Sequence, residues 1–220
     1  MIDGFPRQRG LLRLGGAPHL PLQALADELR SLTGRDVQPV PAEPVSLPGG
    51  AAARVPALRA QLAAGDIDCA VHALAELPTT PEPQLAIAAT PTRDDPRDVL
   101  LASRPLRELV RGTVVGTASA RRLAMLRRLR PDLTYHLIDG DAQLCMDMLA
   151  DGHLAAVVCA RLDLGRRKIN VGQVFGIEQV LPDPGQGALV LECPNDRYDV
   201  IDTVRVLHDL RTWRAISAER

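Results

Sequence analysis

Apolar residues along this 220-residue chain keep changing rhythm, from a period of two to a period near 3.6 and back. Alternation over a few positions predicts half-buried strands. Apolar residues three and four apart predict helices that bury one face. Leu11–Gly16 reads as a first strand ending in glycines, and Leu22, Leu25, Leu29 and Leu32 carry a helical period that Gly34 stops. Val37–Val40 is a short strand. Residues 41–53, rich in Pro and Gly, predict a loop, and residues 54–64 a helix ended by Gly65.

The most informative stretch is Ile67–Thr79. Ile67, Cys69 and Val71 alternate with Asp68, Ala70 and His72, a strand pattern that breaks into Leu74-Ala75-Glu76-Leu77-Pro78. Pro78 has no N–H for a ladder and forces Leu77 into extended backbone. A strand end of this kind holds its polar side chain rigidly, which makes Glu76 a candidate acid/base or cation stabiliser. The plainer alternative is a solvated glutamate on an ordinary loop.

Further strands are predicted at 84–89, 112–116, 134–137 and 154–158. Helices are predicted from 120 to about 129, from 141 to 150, and over 198–208 and 211–220. The charged run 92–98 reads as a hinge. Regular alternation of strand and helix predicts α/β layers with largely parallel strands. Thr117-Ala118-Ser119-Ala120 suits a helix N-terminus, and Arg121 and Arg122 stand in its first turn. First-turn amides and two guanidinium forks together suit an anion.

Composition narrows the picture. Hydrophobic residues make up 46% and charged residues 24%, as in globular proteins, while aromatics at 2% leave the core to aliphatic side chains. A net charge of −1 gives no footprint for nucleic acid or an anionic membrane. No apolar run approaches the roughly 18 residues of a spanning helix, and the opening MIDGFPRQRG lacks a signal-peptide core. No nucleic-acid or membrane partner is therefore expected, and the cytoplasm is the expected compartment. The four cysteines form no C-x-x-C pair, so no metal site is expected. Cys69, Cys159 and Cys193 lie in apolar runs that suit packing, while Cys145, one turn into a helix capped by Asp141, is a candidate reactive thiol.

Four segments, AVHALAELPT, DDPRD, VGTASARR and LPDPGQGALVLEC, resemble in order and spacing the porphobilinogen deaminase (hydroxymethylbilane synthase) family. That family reads close to IDIAVHSLKDLPT, EREDPRD, VGTSSLRRxAQL and LPAxGQGALxIEC. Each segment alone is weak evidence; four in register are strong. The resemblance implies an α/β, two-lobed, periplasmic-binding-protein-like fold with a cleft between the lobes. Residues 1–96 plus 185–220 would form lobe 1 and residues 97–184 lobe 2.

The resemblance also assigns roles. The family's catalytic Asp falls on Glu76, and a substrate-facing Lys falls on Ala75. Its paired arginines, which hold carboxylates, fall on Arg121 and Arg122, beside Ser119. Its cofactor-binding Arg and Ser near residue 17 are replaced by Gly16-Ala17-Pro18-His19, leaving His19 as the polar candidate. Its R-G-N-V-x-T-R segment is met by Asp139-Gly140-Asp141-Ala142-Gln143-Leu144-Cys145, with Asp139 and Cys145 at the Arg positions. The third domain, whose Cys carries a covalent dipyrromethane, is expected to be absent, and no cofactor is expected.

The leading expectation is thus a family member repurposed as an enzyme on a smaller, non-tetrapyrrole substrate. Glu76 and Cys145 are its candidate catalytic groups. Ser119, Arg121, Arg122, Asp139, Asp141 and His19 are its candidate binding groups. A non-catalytic ligand-binding module or partner subunit, and a deaminase served by a separate cofactor-bearing chain, are the alternatives.

Overall fold

The computed structural model describes residues 10–42, 51–140, 142–164 and 171–220. They divide into two compact units, one built on Arg54–Arg93 and Ala188–Arg220 with the N-terminal strands, the other on Asp94–Gly187.

The first unit begins with strand β1 (Leu12–Gly16), helix α1 (Leu22–Thr33), strand β2 (Val37–Pro41), helix α2 (Ala51–Ala64), strand β3 (Cys69–Ala73) and strand β4 (Leu85–Ala89). Helix α1 forms where its period predicts. Leu22, Leu25, Ala26 and Leu29 are buried, and Gly34 at φ +67 closes it by donating its N–H to the Arg30 carbonyl. Helix α2 starts at Ala51, three residues before the predicted helix.

The second unit holds strand β5 (Asp98–Leu101), strand β6 (Val114–Thr117), helix α3 (Ala120–Leu129), strand β7 (Thr134–Leu137), helix α4 (Ala142–Ala150), strand β8 (Ala156–Ala160) and strand β9 (Gln173–Val174). The chain then returns to the first unit as strand β10 (Leu189–Pro194), helix α5 (Tyr198–Val204) and helix α6 (Leu210–Glu219).

Each unit has one five-stranded sheet, ordered β2-β1-β3-β10-β4 in the first and β7-β6-β8-β5-β9 in the second. The plan repeats. In each unit the second strand listed pairs parallel with both neighbours, and the fourth pairs antiparallel with both. Four of the eight described pairings are therefore parallel, fewer than strand–helix alternation predicts. The reason is local: β5 follows a charged connection rather than a crossover helix, and β10 enters from the far end of the sequence.

Strand β5 is a second departure. Its Asp98 reads as the end of an exposed charged run, yet all four of its residues are buried. Leu100 packs in a cluster with Val115, Leu126, Tyr135 and Phe175, under α3. Val99 and Leu101 pack on the other face with Cys145, Val157 and Cys159, under α4. A strand buried on both faces loses the alternation that would announce it. β3 is buried in the same way: Cys69, Ala70, Val71 and His72 all lie below the surface. The return through Gly187 needs glycine, because its φ is +81 and a Cβ would stand 2.8 Å from the Asp94 carbonyl oxygen. Among the described residues no helix is long and apolar enough to cross a membrane.

Candidate functional site

One turn of 3-10 helix, Leu74–Glu76, follows β3, and Leu77 leaves it extended at φ −73, ψ 139, as Pro78 requires. The turn is fixed from both sides. Leu74 and Leu77 are buried with Val55, Val190 and Ile216. Leu74 donates its N–H to the Ala188 carbonyl at 2.9 Å, and Arg220 donates to the carbonyls of Leu74 (3.2 Å) and Leu77 (2.9 Å). Glu76 therefore sits on a rigid mount, its side chain 20% exposed. It is ion-paired: Arg54 on α2 donates from Nη2 to Oε1 at 2.8 Å, and from Nε to Oε2 at 3.5 Å. Arg54 escaped the sequence reading because an arginine on a helix 22 residues upstream carries no motif.

Beneath the same sheet lies a second charged group. Arg59 grips Glu192 of β10 in a fork, Nε to Oε2 at 3.0 Å and Nη2 to Oε1 at 2.8 Å. His72 Nε2 stands 3.3 Å from Glu192 Oε2, near enough to pair in charge but outside hydrogen-bond alignment. Burial alone would raise the Glu192 carboxyl; His72 and Arg59 outweigh it and hold it down at about 2. This group joins β3, β10 and α2. It too was invisible in the sequence, where Glu192 and His72 read only as alternation.

In the second unit, Ser119 caps α3, its Oγ accepting the Arg122 N–H at 3.4 Å. The cap delivers both arginines to one buried carboxylate. Asp98 is fully buried; its Oδ1 accepts from Arg122 Nε at 2.9 Å and its Oδ2 from Arg121 Nη2 at 3.2 Å. Gln186 donates to Asp98 Oδ1 at 2.8 Å, and its Oε1 accepts from Nη2 of both arginines at 3.3 Å. Arg121 also donates to the Leu181 carbonyl and, from Nε, to Asp183 Oδ1 at 2.7 Å. The pair thus divides: Arg122 is interior, 8% exposed, while the Arg121 side chain is 20% exposed. Asp183 was missed in the sequence, although the family pattern quoted above has Ala in its place.

The other candidates scatter. Asp139 is exposed beyond β7, and His19 is half-buried in the turn after β1. Asp141 lies outside the described residues. Cys145 is 1% exposed in the core of the second unit, where a ligand cannot reach its sulfur. The other three cysteines are buried as well; burial pushes the thiols of Cys69 and Cys159 well up and that of Cys193 to about 11. Among the described residues no group of three His, Cys, Asp or Glu is placed to hold a metal ion. A shallow hollow of about 450 Å³ on the second unit is lined by Met125, Arg128, Ile177, Glu178 and Leu181 among others, and by none of the candidates.

Two mixed sheets of repeated plan, with polar residues gathered at strand ends and a helix N-terminus, define the periplasmic-binding-protein-like class. Solved structures bear this out. The periplasmic VFT2 domain of Bordetella pertussis BvgS matches with a TM-score of 0.55 at 16% identity, covering 96% of this chain and 93% of that one. A YaeC-family lipoprotein of Enterococcus faecalis matches with a TM-score of 0.61 at 13% identity, covering 95% and 96%. These likenesses concern the fold alone. Sequence goes further: residues 34–202 match the family model described as porphobilinogen deaminase, dipyromethane cofactor binding domain. The chain belongs to the porphobilinogen deaminase family.

Among its relatives, porphobilinogen deaminase of Thermobifida fusca is 45% identical over 177 residues, covering 78% of this chain and 55% of the relative. Porphobilinogen deaminase 1 of Streptomyces coelicolor is 38% identical over 212 residues, covering 89% and 66%. The chain spans about half the length of curated relatives it matches, 55%, 49% and 54% of three of them. Its own residues do not fit covalent attachment of a dipyrromethane, because all four cysteine sulfurs are buried.

Proposed function

We propose that this chain is a porphobilinogen-deaminase-family protein repurposed as an enzyme on a smaller, non-tetrapyrrole substrate bearing one anionic group. Arg121, on the rim of the buried Arg122–Asp98 pair, is the observation that carries the reading: its Nε already holds a carboxylate at 2.7 Å. Glu76 is the catalytic carboxylate. Its Oε2, reached by Arg54 Nε only at 3.5 Å, keeps lone pairs for a developing positive charge, and the rigid mount supplies that stabilisation without reorganisation. A polycarboxylate is disfavoured. Asp139 and Asp183 are both on the surface of the second unit, and one like-charge contact at a partly solvated site costs on the order of 1–4 kcal/mol. The expected compartment is the cytoplasm.

The non-catalytic binding module is the second reading, and the Arg54–Glu76 ion pair favours it, since it satisfies the carboxylate without any ligand. Incubation with porphobilinogen, followed by intact mass and by pyrrole consumption, tests the proposal. Neither an adduct nor consumption is expected; consumption with a covalent adduct would return the chain to the family's own reaction. Once a turned-over substrate is in hand, Glu76→Gln is expected to abolish the rate and keep the binding. An unchanged rate would remove Glu76 from the chemistry.

A further inference from the structure

We infer that Asp183 is a built-in competitor for the anion subsite: its carboxylate occupies Arg121 until an incoming anion displaces it. The inference rests on the reading of Arg121 as that subsite. Two guanidinium groups, Arg121 and Arg122, meet here with two carboxylates, Asp98 and Asp183. The carboxylates are not equivalent. Asp98 is fully buried, with both oxygens engaged by Arg122, Arg121 and Gln186, so it is a permanent member of the interior. Asp163 adds a further negative charge facing Arg122. Asp183 pairs with Arg121, and its side chain is 40% exposed.

An exposed partner is the one a solute can replace. Removing it does not strand a buried charge, because Arg121 itself reaches solvent and keeps Asp98, Gln186 and the Leu181 carbonyl.

The backbone around Asp183 keeps the carboxylate in place. It lies between Pro182 and Pro184, which restrict its flanks. Its N–H donates to Gln186 Oε1 at 3.2 Å and its carbonyl accepts the Gln186 N–H at 2.9 Å. Asp183 therefore meets Arg121 with little ordering left to do, whereas a free anion must give up its translational freedom. The consequence is selectivity. A weakly bound monoanion is held off, and a ligand succeeds only if further contacts add to the one at Arg121. An exposed ion pair of this kind lowers apparent affinity about two- to fivefold, the range that a contribution of up to about 1 kcal/mol allows.

The test uses acetate and inorganic phosphate as probes, titrated at low salt and followed through the side-chain Nε–H resonance of Arg121 and, in every variant, the backbone N–H resonance of Gln186, which donates to the Asp183 carbonyl. In Asp183→Asn, which keeps the shape and the turn, both probes are expected to bind about two- to fivefold more tightly than in the native chain, and the gain is expected to vanish in Asp183→Asn/Arg121→Met. Equal affinity in the native chain and in Asp183→Asn would overturn the competitor role while leaving Arg121 an anion subsite. No perturbation of Arg121 in either protein, with the native spectrum otherwise preserved, would overturn the subsite and the competitor together.

Discussion

Arg54 and Glu76 are joined at 2.8 Å across the first unit, binding helix α2 to the turn that ends strand β3. The pair is partly buried, 17% and 20% exposed, so its worth lies above that of a fully solvated bridge. A double-mutant cycle on Arg54→Met and Glu76→Gln, followed by urea denaturation, is expected to give a coupling energy of about 1 kcal/mol. A coupling near zero would mean that the carboxylate does not depend on Arg54 for its position.

Stability is expected to depend on acid through Glu192. Its carboxyl titrates at about 2 in the fold against an ordinary value of 4.5. A depressed carboxyl stabilises the fold fully above its unfolded value and loses that contribution as pH falls towards its folded value. Thermal midpoints are therefore expected to fall between about pH 4.5 and pH 2, a contribution on the order of 3 kcal/mol. Arg59 and His72 face this carboxylate, and Glu82 stands 3.8 Å from Arg59. Glu192→Gln is expected to be less stable at neutral pH and to lose part of that acid dependence. A slope identical to that of the native chain would place the acid sensitivity elsewhere.

The thiols give a direct check on the packing of both units. All four are buried, so a chromogenic disulfide reagent is expected to label none rapidly in the native chain and all four in denaturant. Fast labelling of Cys145 in the native state would put its sulfur within reach of solvent and restore it as a candidate nucleophile.

Much of the fold was written locally. The leucine period of α1, the αL glycine at Gly34 and the proline after Leu77 each act over a few residues, and each forms where the pattern puts it. The family could be read for the same reason, because its segments are contiguous and keep their order. Partners distant in sequence could not be read that way. Asp98 looks like the tail of an exposed charged run, and only the approach of Arg121 and Arg122, more than 20 residues away, lets it be buried in β5. His72 looks like the polar face of an alternating strand, and only the pairing of β3 with β10 brings Glu192 to within 3.3 Å of its ring inside the fold. The charges that occupy the candidate site, Arg54 on Glu76 and Asp183 on Arg121, come from segments 22 and 62 residues away. By itself the sequence determined most of the elements, though not β5, β9 or β10, together with the family and which side chains could do chemistry. The tertiary structure decided which of those side chains are already paired, because an ion pair forms by proximity in space, and proximity across the chain is settled only when the sheets and helices pack.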